Sequence, residues 1–198
     1  MTPDQATHHH PAYTGVTETP PDRIVPGQGA TQRHILVVLV MDRPGVLNRV
    51  ASLMRARNFN IDSLAVSRTD KPHISRMTLT IHGDAVAVEQ ASKQLYRLVD
   101  VLKVQDVTQD QVVEHELALV KVRATEGNRA EVIKIVELYK GAIVDISAES
   151  VIVEAHGTET EIDALVALLR YYGIKELVRT GATVMIRGAG SIEEALKL

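Results

Sequence analysis

The sequence predicts an α+β protein made of two tandem ferredoxin-like βαββαβ units. Three observations carry that expectation. Runs of strand length, either wholly apolar or strictly alternating, interleave with stripes of apolar residues at helical spacing. The order β-α-β-β-α-β then occurs twice, with a period of roughly 80 residues. The apolar material is almost entirely aliphatic, since aromatics make up 3% of a chain that is 45% hydrophobic, with five Tyr, one Phe (Phe59) and no Trp. Cores of this kind are packed from Val, Leu, Ile and Ala.

In the first unit, residues 34–40 (His-Ile-Leu-Val-Val-Leu-Val) read as a strand apolar on both faces. Asp42-Arg-Pro-Gly45 breaks it, with Pro44 suited to the first turn of a helix. Val46, Leu47, Val50, Leu53 and Met54 recur at helical spacing, and Asn58 is a left-handed stop. A strand over 59–67 ends at Thr69-Asp-Lys-Pro72. The next alternates: Met77, Leu79 and Ile81 face in, and Arg76, Thr78 and Thr80 face out, polar enough for water or a partner. His82-Gly-Asp84 leads into a helix striped with Val88, Ala91, Leu95 and Leu98, and residues 99–107 close the unit as a strand.

The second unit repeats the order but not the visible sequence. A strand covers 115–124, and Asn128 with Glu131 makes a capping-box-like helix start. Val132, Ile135, Val136 and Tyr139 line that helix, which Gly141 stops. Strands over 143–148 and 151–156 flank a Glu149-Ser150 turn, and Thr158 with Glu161 forms a second capping box. Ile162, Leu165, Val166 and Leu169 mark the last long helix, Gly173 ends it, and strands over 174–178 and 183–186 follow. The resulting division is a disordered tail over 1–32, units over 33–110 and 111–188, and a short helix or tail over 189–198, where Ser191 and Glu194 suit a cap. The first strand, apolar on both faces, further argues that sheets pair edge to edge between subunits, which suits units this small.

The bulk numbers exclude several classes. A formal charge of −3 and a pI near 6.2 leave no footprint for nucleic acid, and aromatic stacking platforms are missing. No apolar run approaches the roughly 18 residues that cross a bilayer, and the first thirty residues hold no secretory h-region, so a cytoplasmic location is expected. The absence of cysteine rules out disulfides, thiolate metal sites and thiol nucleophiles. His8, His9 and His10 lie in the tail and make no preorganised metal site. His82, His115 and His156 are scattered, not at ligand spacing. Nucleophile elbow, HExxH, P-loop and kinase signatures are all missing, so no catalytic residues are expected.

One segment stands out, Asp42-Arg-Pro-Gly-Val-Leu47. One reading is a plain strand-to-helix turn with Asp42 as N-cap. The other uses the same geometry to hold a ligand carboxylate on free N–H groups at a helix N-terminus, with Gly45 allowing close approach. Asn60, past the far end of the helix, can donate and accept hydrogen bonds to an amino acid's polar groups. Spacing alone does not choose between these readings.

The pattern Asp42-x-Pro-Gly-x-Leu47, set between an apolar strand and a helix, resembles the ACT domain, a regulatory module that binds small amino acids at subunit interfaces. Longer segments, Asn60-Ile-Asp-Ser-Leu-Ala-Val66, His73-Ile-Ser-Arg-Met-Thr78 and Gln94-Leu-Tyr-Arg-Leu-Val-Asp-Val101, resemble the small regulatory subunits of acetohydroxyacid synthase (acetolactate synthase). Glu116-Leu-Ala-Leu-Val-Lys-Val122 and Gly141-Ala-Ile-Val-Asp-Ile146 extend the likeness into the second unit, which is ACT-like but has no D-x-P-G element. The resemblance implies a non-catalytic subunit that activates a large catalytic subunit and confers feedback inhibition, usually by valine, in branched-chain amino-acid biosynthesis. Thiamine diphosphate, Mg²⁺ and FAD then belong to the large subunit, and this chain binds no cofactor. It also implies a homodimer through the ACT domains, with valine held by Asp42, Gly45, Val46 and Leu47 of one chain and Asn60 and Ile61 of its partner.

Other classes fit less well. An acylphosphatase-type enzyme shares the topology but needs a Gly-rich phosphate loop after the first strand, and Arg43-Pro44 does not make one. The remaining alternative is a stand-alone ACT-domain amino-acid sensor acting on another enzyme.

Overall fold

The computed structural model describes residues 32–194. The expected tail, with its three histidines, lies outside the described residues except for its last residue, and the end of the expected terminal helix lies outside them too. The first unit runs β1 (Gln32–Met41), α1 (Val46–Ala56), β2 (Ile61–Arg68), β3 (Ile74–Gly83), α2 (Ala85–Leu95) and β4 (Val101–Asp106). The second runs β5 (Val112–Arg123), α3 (Arg129–Leu138), β6 (Ala142–Ile146), β7 (Ser150–Gly157), α4 (Glu159–Arg170) and β8 (Ile174–Arg179), and β9 (Thr183–Ile186) follows. Each unit forms an antiparallel four-stranded sheet, ordered β2-β3-β1-β4 and β6-β7-β5-β8. The α+β, tandem ferredoxin-like expectation therefore holds.

The two periodicities meet in the cores. Leu36, Val38 and Val40 from one face of β1 join Met77, Leu79 and Ile81 of β3 against Val46, Val50 and Met54 of α1 and Val88, Ala91 and Leu95 of α2. In the second unit Ala118, Val120 and Val122 do the same with Val132 and Val136 of α3 and Ile162, Leu165 and Leu169 of α4. Asp84 and Thr158 cap α2 and α4; the Thr158–Glu161 capping box is complete.

The other face of β1 shows why it is apolar on both sides. Ile35, Val37 and Leu39 form a third core with Ile74, Val107, Ala182, Val184 of β9 and Ile192. β9 does not extend the second sheet beside β8; it pairs with residues 112–115, the first part of the long strand β5. The face of the first sheet opposite its helices is thus covered by the same chain, and double-sided burial of β1 needs no second subunit. Thr78 and Thr80, expected at a polar outer face, stand opposite Val37 and Ile35 and are buried at 3% exposure each. Their hydroxyls are under the inter-unit packing, where Ser63 Oγ donates to Thr80 Oγ1 at 3.1 Å.

Three local expectations are corrected. Pro44 lies in the turn before α1, which starts at Val46 with Gly45 as N-cap. Asn128 does not cap α3 with its side chain; its Oδ1 accepts from Thr125 N–H at 2.7 Å, holding the preceding loop. Lys140 at φ 55, not Gly141, supplies the left-handed stop after α3. Gly141 is required for close approach instead, since a Cβ there would meet Glu154 O and Val136 Cγ1 at 3.0 Å.

Candidate functional site

The exit of β1 is fixed by its neighbours. Met41 N–H donates to Asp100 O at 2.8 Å and Asp42 N–H to His73 O at 2.7 Å. The chain then reverses through Arg43-Pro44 and enters α1 through Gly45, whose φ of 83 lies in the left-handed region. That conformation costs an L-residue about 1–2 kcal/mol, which is why glycine suits this step. Asp42 is therefore not the N-cap. Its carboxylate pairs with Arg68 Nε at 3.2 Å on an exposed surface.

The start of α1 is electrostatically open. It has no side-chain cap and no acidic residue in its first turn. Val46 N–H reaches Arg43 O and Arg49 N–H reaches Gly45 O, while the amides of Leu47 and Asn48 find no acceptor among the described residues. Those two donors and the helix dipole make the terminus favourable for an anion. Val46 turns into the core, whereas Leu47 stands 43% exposed beside the terminus.

Arg49 was not singled out from sequence, yet it belongs to this place. Its Nη1 lies 3.3 Å from where a Gly45 Cβ would stand, and its Nη2 is 2.5 Å from Oδ2 of the buried Asp100. A guanidinium is thus held over the open turn. The available signal was the i, i+4 spacing from Gly45, which puts both on one helix face. The Asp100 partner is 51 residues away and not readable locally.

Asn60 and Ile61 sit at the opposite end of α1. Arg57 caps the helix, Asn58 turns left-handed at φ 60 as expected, and Phe59 N–H closes onto Met54 O at 3.0 Å. Asn60 Nδ2 donates to Asp62 Oδ1 at 3.0 Å, and Asp62 in turn contacts His82 Nδ1. Ile61 opens β2 opposite Ile81. The two groups lie at opposite ends of the eleven-residue α1, whose length is about 16 Å. One chain therefore brings Asp42, Gly45, Val46 and Leu47 together and keeps Asn60 and Ile61 apart from them.

The second unit offers no equivalent terminus. Gly127 precedes Asn128 but is not left-handed, and Glu131 sits in the first turn of α3. His115 and His156, scattered in sequence, lie with ring centroids 6.2 Å apart. Among the described residues no group of three or more His, Asp or Glu side chains is arranged to hold a metal ion.

Two domain families match the chain. A family of ACT domains like those of the acetohydroxyacid synthase small subunit matches residues 36–103, and the small subunit of acetolactate synthase matches residues 115–188. The chain belongs to the acetolactate synthase small-subunit family, whose first unit is an ACT domain. It is 45% identical over 79% of its length to a probable acetolactate synthase small subunit of Archaeoglobus fulgidus, covering 98% of that protein. It is 44% identical over 80% of its length to the small subunit of Mycobacterium leprae, covering 94% of it. The crystal structure of the small subunit from Thermotoga maritima superposes with a TM-score of 0.75 at 36% identity, covering 80% of this chain and 99% of that one. This is the regulatory kind of subunit, and no helix among its described residues is long and apolar enough to cross a membrane.

Proposed function

We propose that this chain activates a catalytic acetolactate synthase subunit and makes it sensitive to feedback inhibition by valine. The observation that carries the reading is the open start of α1, where the Leu47 and Asn48 amides find no acceptor among the described residues and the Arg49 guanidinium stands beside Gly45. That arrangement suits an α-carboxylate, and Leu47 offers a short aliphatic side chain an apolar neighbour. Asp42 supplies an acceptor for the ligand's ammonium group. Because Asn60 and Ile61 stand a helix length away, the complete site takes them from a second copy, so the working unit is a homodimer through the ACT domains. The condensation chemistry, with thiamine diphosphate, Mg²⁺ and FAD, belongs to the large subunit, and the complex works in the cytoplasm.

The test is reconstitution. The purified chain forms no acetolactate from pyruvate; added to its large subunit it raises the rate severalfold, and valine then lowers it. Equal rates with and without this chain would defeat activation. A valine-indifferent complex would defeat the effector assignment.

A further inference from the structure

Strand β2 begins at Ile61, one of the proposed effector contacts, directly after the other, Asn60, and its own sheet holds that start weakly. It is an edge strand with a ladder on one side only. Its pairing with β3 slips between Ile61 and Ser63, so the ladder is interrupted where Asn60 and Ile61 enter. The second unit supplies what the ladder lacks. A Cβ at Gly181 would stand 2.9 to 3.0 Å from the backbone C, N and O of Leu64. Gly181 is not left-handed, so glycine is required here for the approach and not for the conformation. Ala182 N–H points at Ser63 Oγ, 3.5 Å away.

The same segment is locked to the second unit. Thr180 N–H donates to Leu117 O at 3.0 Å, and Leu117 N–H donates to Thr180 Oγ1 at 3.0 Å, fastening it to β5. Ala182 and Val184 then enter the shared core. A wedge between β8 and β9, fastened to β5, therefore bears directly on the backbone of β2, three residues after Ile61.

We infer that Gly181 is a positioning residue for the amino-acid site: it seats the second unit against β2 and so sets where Asn60 and Ile61 are presented to the partner chain. The inference rests on the effector reading above. Coupling of this kind is reciprocal, so an amino acid bound at the start of β2 also biases the 180–183 segment and, through it, β5.

Gly181→Ala tests this with two readouts. In the reconstituted complex the valine concentration for half-inhibition rises about tenfold while stimulation of the large subunit is kept. In hydrogen exchange on the full chain, the amides of residues 61–64 exchange faster than in wild type. Ser63→Ala, which removes the hydroxyl facing Ala182 N–H together with its bond to Thr80 Oγ1, gives smaller changes of the same sign in both and serves if Gly181→Ala does not fold; Thr80→Val, which removes only the bond within the sheet, leaves inhibition at the wild-type level. Unchanged exchange over residues 61–64 overturns the positioning role, as does altered exchange with wild-type inhibition. Stimulation lost in step with inhibition shows a general structural role instead, which also overturns it. If the wild-type complex ignores valine, the effector reading fails, and the exchange comparison still decides the positioning claim.

Discussion

Gly45, Arg49 and Asp100 form the local unit on which the proposed effector site rests. The left-handed Gly45 starts α1 without a cap, and the buried Asp100 holds Arg49 over the resulting turn. Gly45→Asp converts this into a direct test of the proposed carboxylate site. At an effective dielectric of about 20, two charges roughly 4 Å apart repel by about 4 kcal/mol. Arg49, already within 3.3 Å of the new Cβ, pairs with the introduced carboxylate and offsets part of that. If about 2 kcal/mol survives, affinity falls roughly 30-fold. The left-handed φ adds strain of about 1–2 kcal/mol, so a modest fall in melting temperature accompanies it. Valine inhibition curves for wild-type and variant complexes decide the matter: superimposable curves place the effector elsewhere. Arg49→Gln removes the guanidinium without the backbone strain and weakens inhibition in the same direction, and its melting temperature also falls because the buried Asp100 loses its partner.

Elements with local signatures were legible in the sequence. The period of two in β3, the Thr158–Glu161 box on α4 and the Asn58 stop of α1 were all readable from residues a few positions apart. What failed depended on distant chain. Asp42 and Gly45 both suit a helix start, and the choice falls to Gly45 because the backbone turns left-handed there. Thr78 and Thr80 look solvent-facing until Ala182 and Val184 arrive from the second unit. The candidate site was legible as the Asp42–Leu47 and Asn60–Ile61 pair, whereas Arg49 was hidden behind its non-local partner. The terminal segment gives a prediction at this scale. Glu193 meets Asp70 at the β2–β3 turn, and Lys71 Nζ donates to Glu193 O at 2.7 Å. Burial first, and the hydrogen bond with Asp70 second, raise the Glu193 carboxyl above the ordinary range. A raised folded-state value means the protonated Glu193 stabilises fully below the unfolded pKa, and that contribution is lost as pH rises through the folded one. Glu193→Gln keeps the donor at every pH. Its melting temperature therefore gains on wild type between about pH 4, below the unfolded Glu value, and neutrality. A difference constant with pH would show that the Glu193 carboxyl does not titrate in this window.

For the molecule as a whole, the decisive asymmetry is which sheet face the chain covers. Ile35, Val37 and Leu39 of the first sheet are sealed by β9 and Ile192, while Leu117, Leu119 and Val178 of the second sheet stay partly exposed. The third core is therefore what makes two small units behave as one body, helped by cross-unit ion pairs from Arg33 to Glu114 and Glu159. Surface ion pairs of that kind contribute little, about 0–1 kcal/mol each. Burial of aliphatic side chains contributes more, so the coupling should be sought in Val184 and Ile192. Truncating Ile192 to Ala costs about 2–5 kcal/mol in a rigid core, and the low end applies near a chain terminus that can relax. With Val184→Ala added, a loss of about 4 kcal/mol is expected, or roughly 10 °C in melting temperature for a protein this size. The shape of the transition should change as well. Wild type unfolds in one step because neither unit can leave without exposing the shared core. The double variant unfolds in two, the first unit melting earlier with its open face uncovered. Val86→Ala, at a side chain 62% exposed on α2, serves as the control and shifts stability by no more than about 0.5 kcal/mol. Differential scanning calorimetry reads both quantities. A single wild-type-like transition in the double variant would mean that the units are joined by the ion pairs and the Gly181 seam, not by the aliphatic core between them.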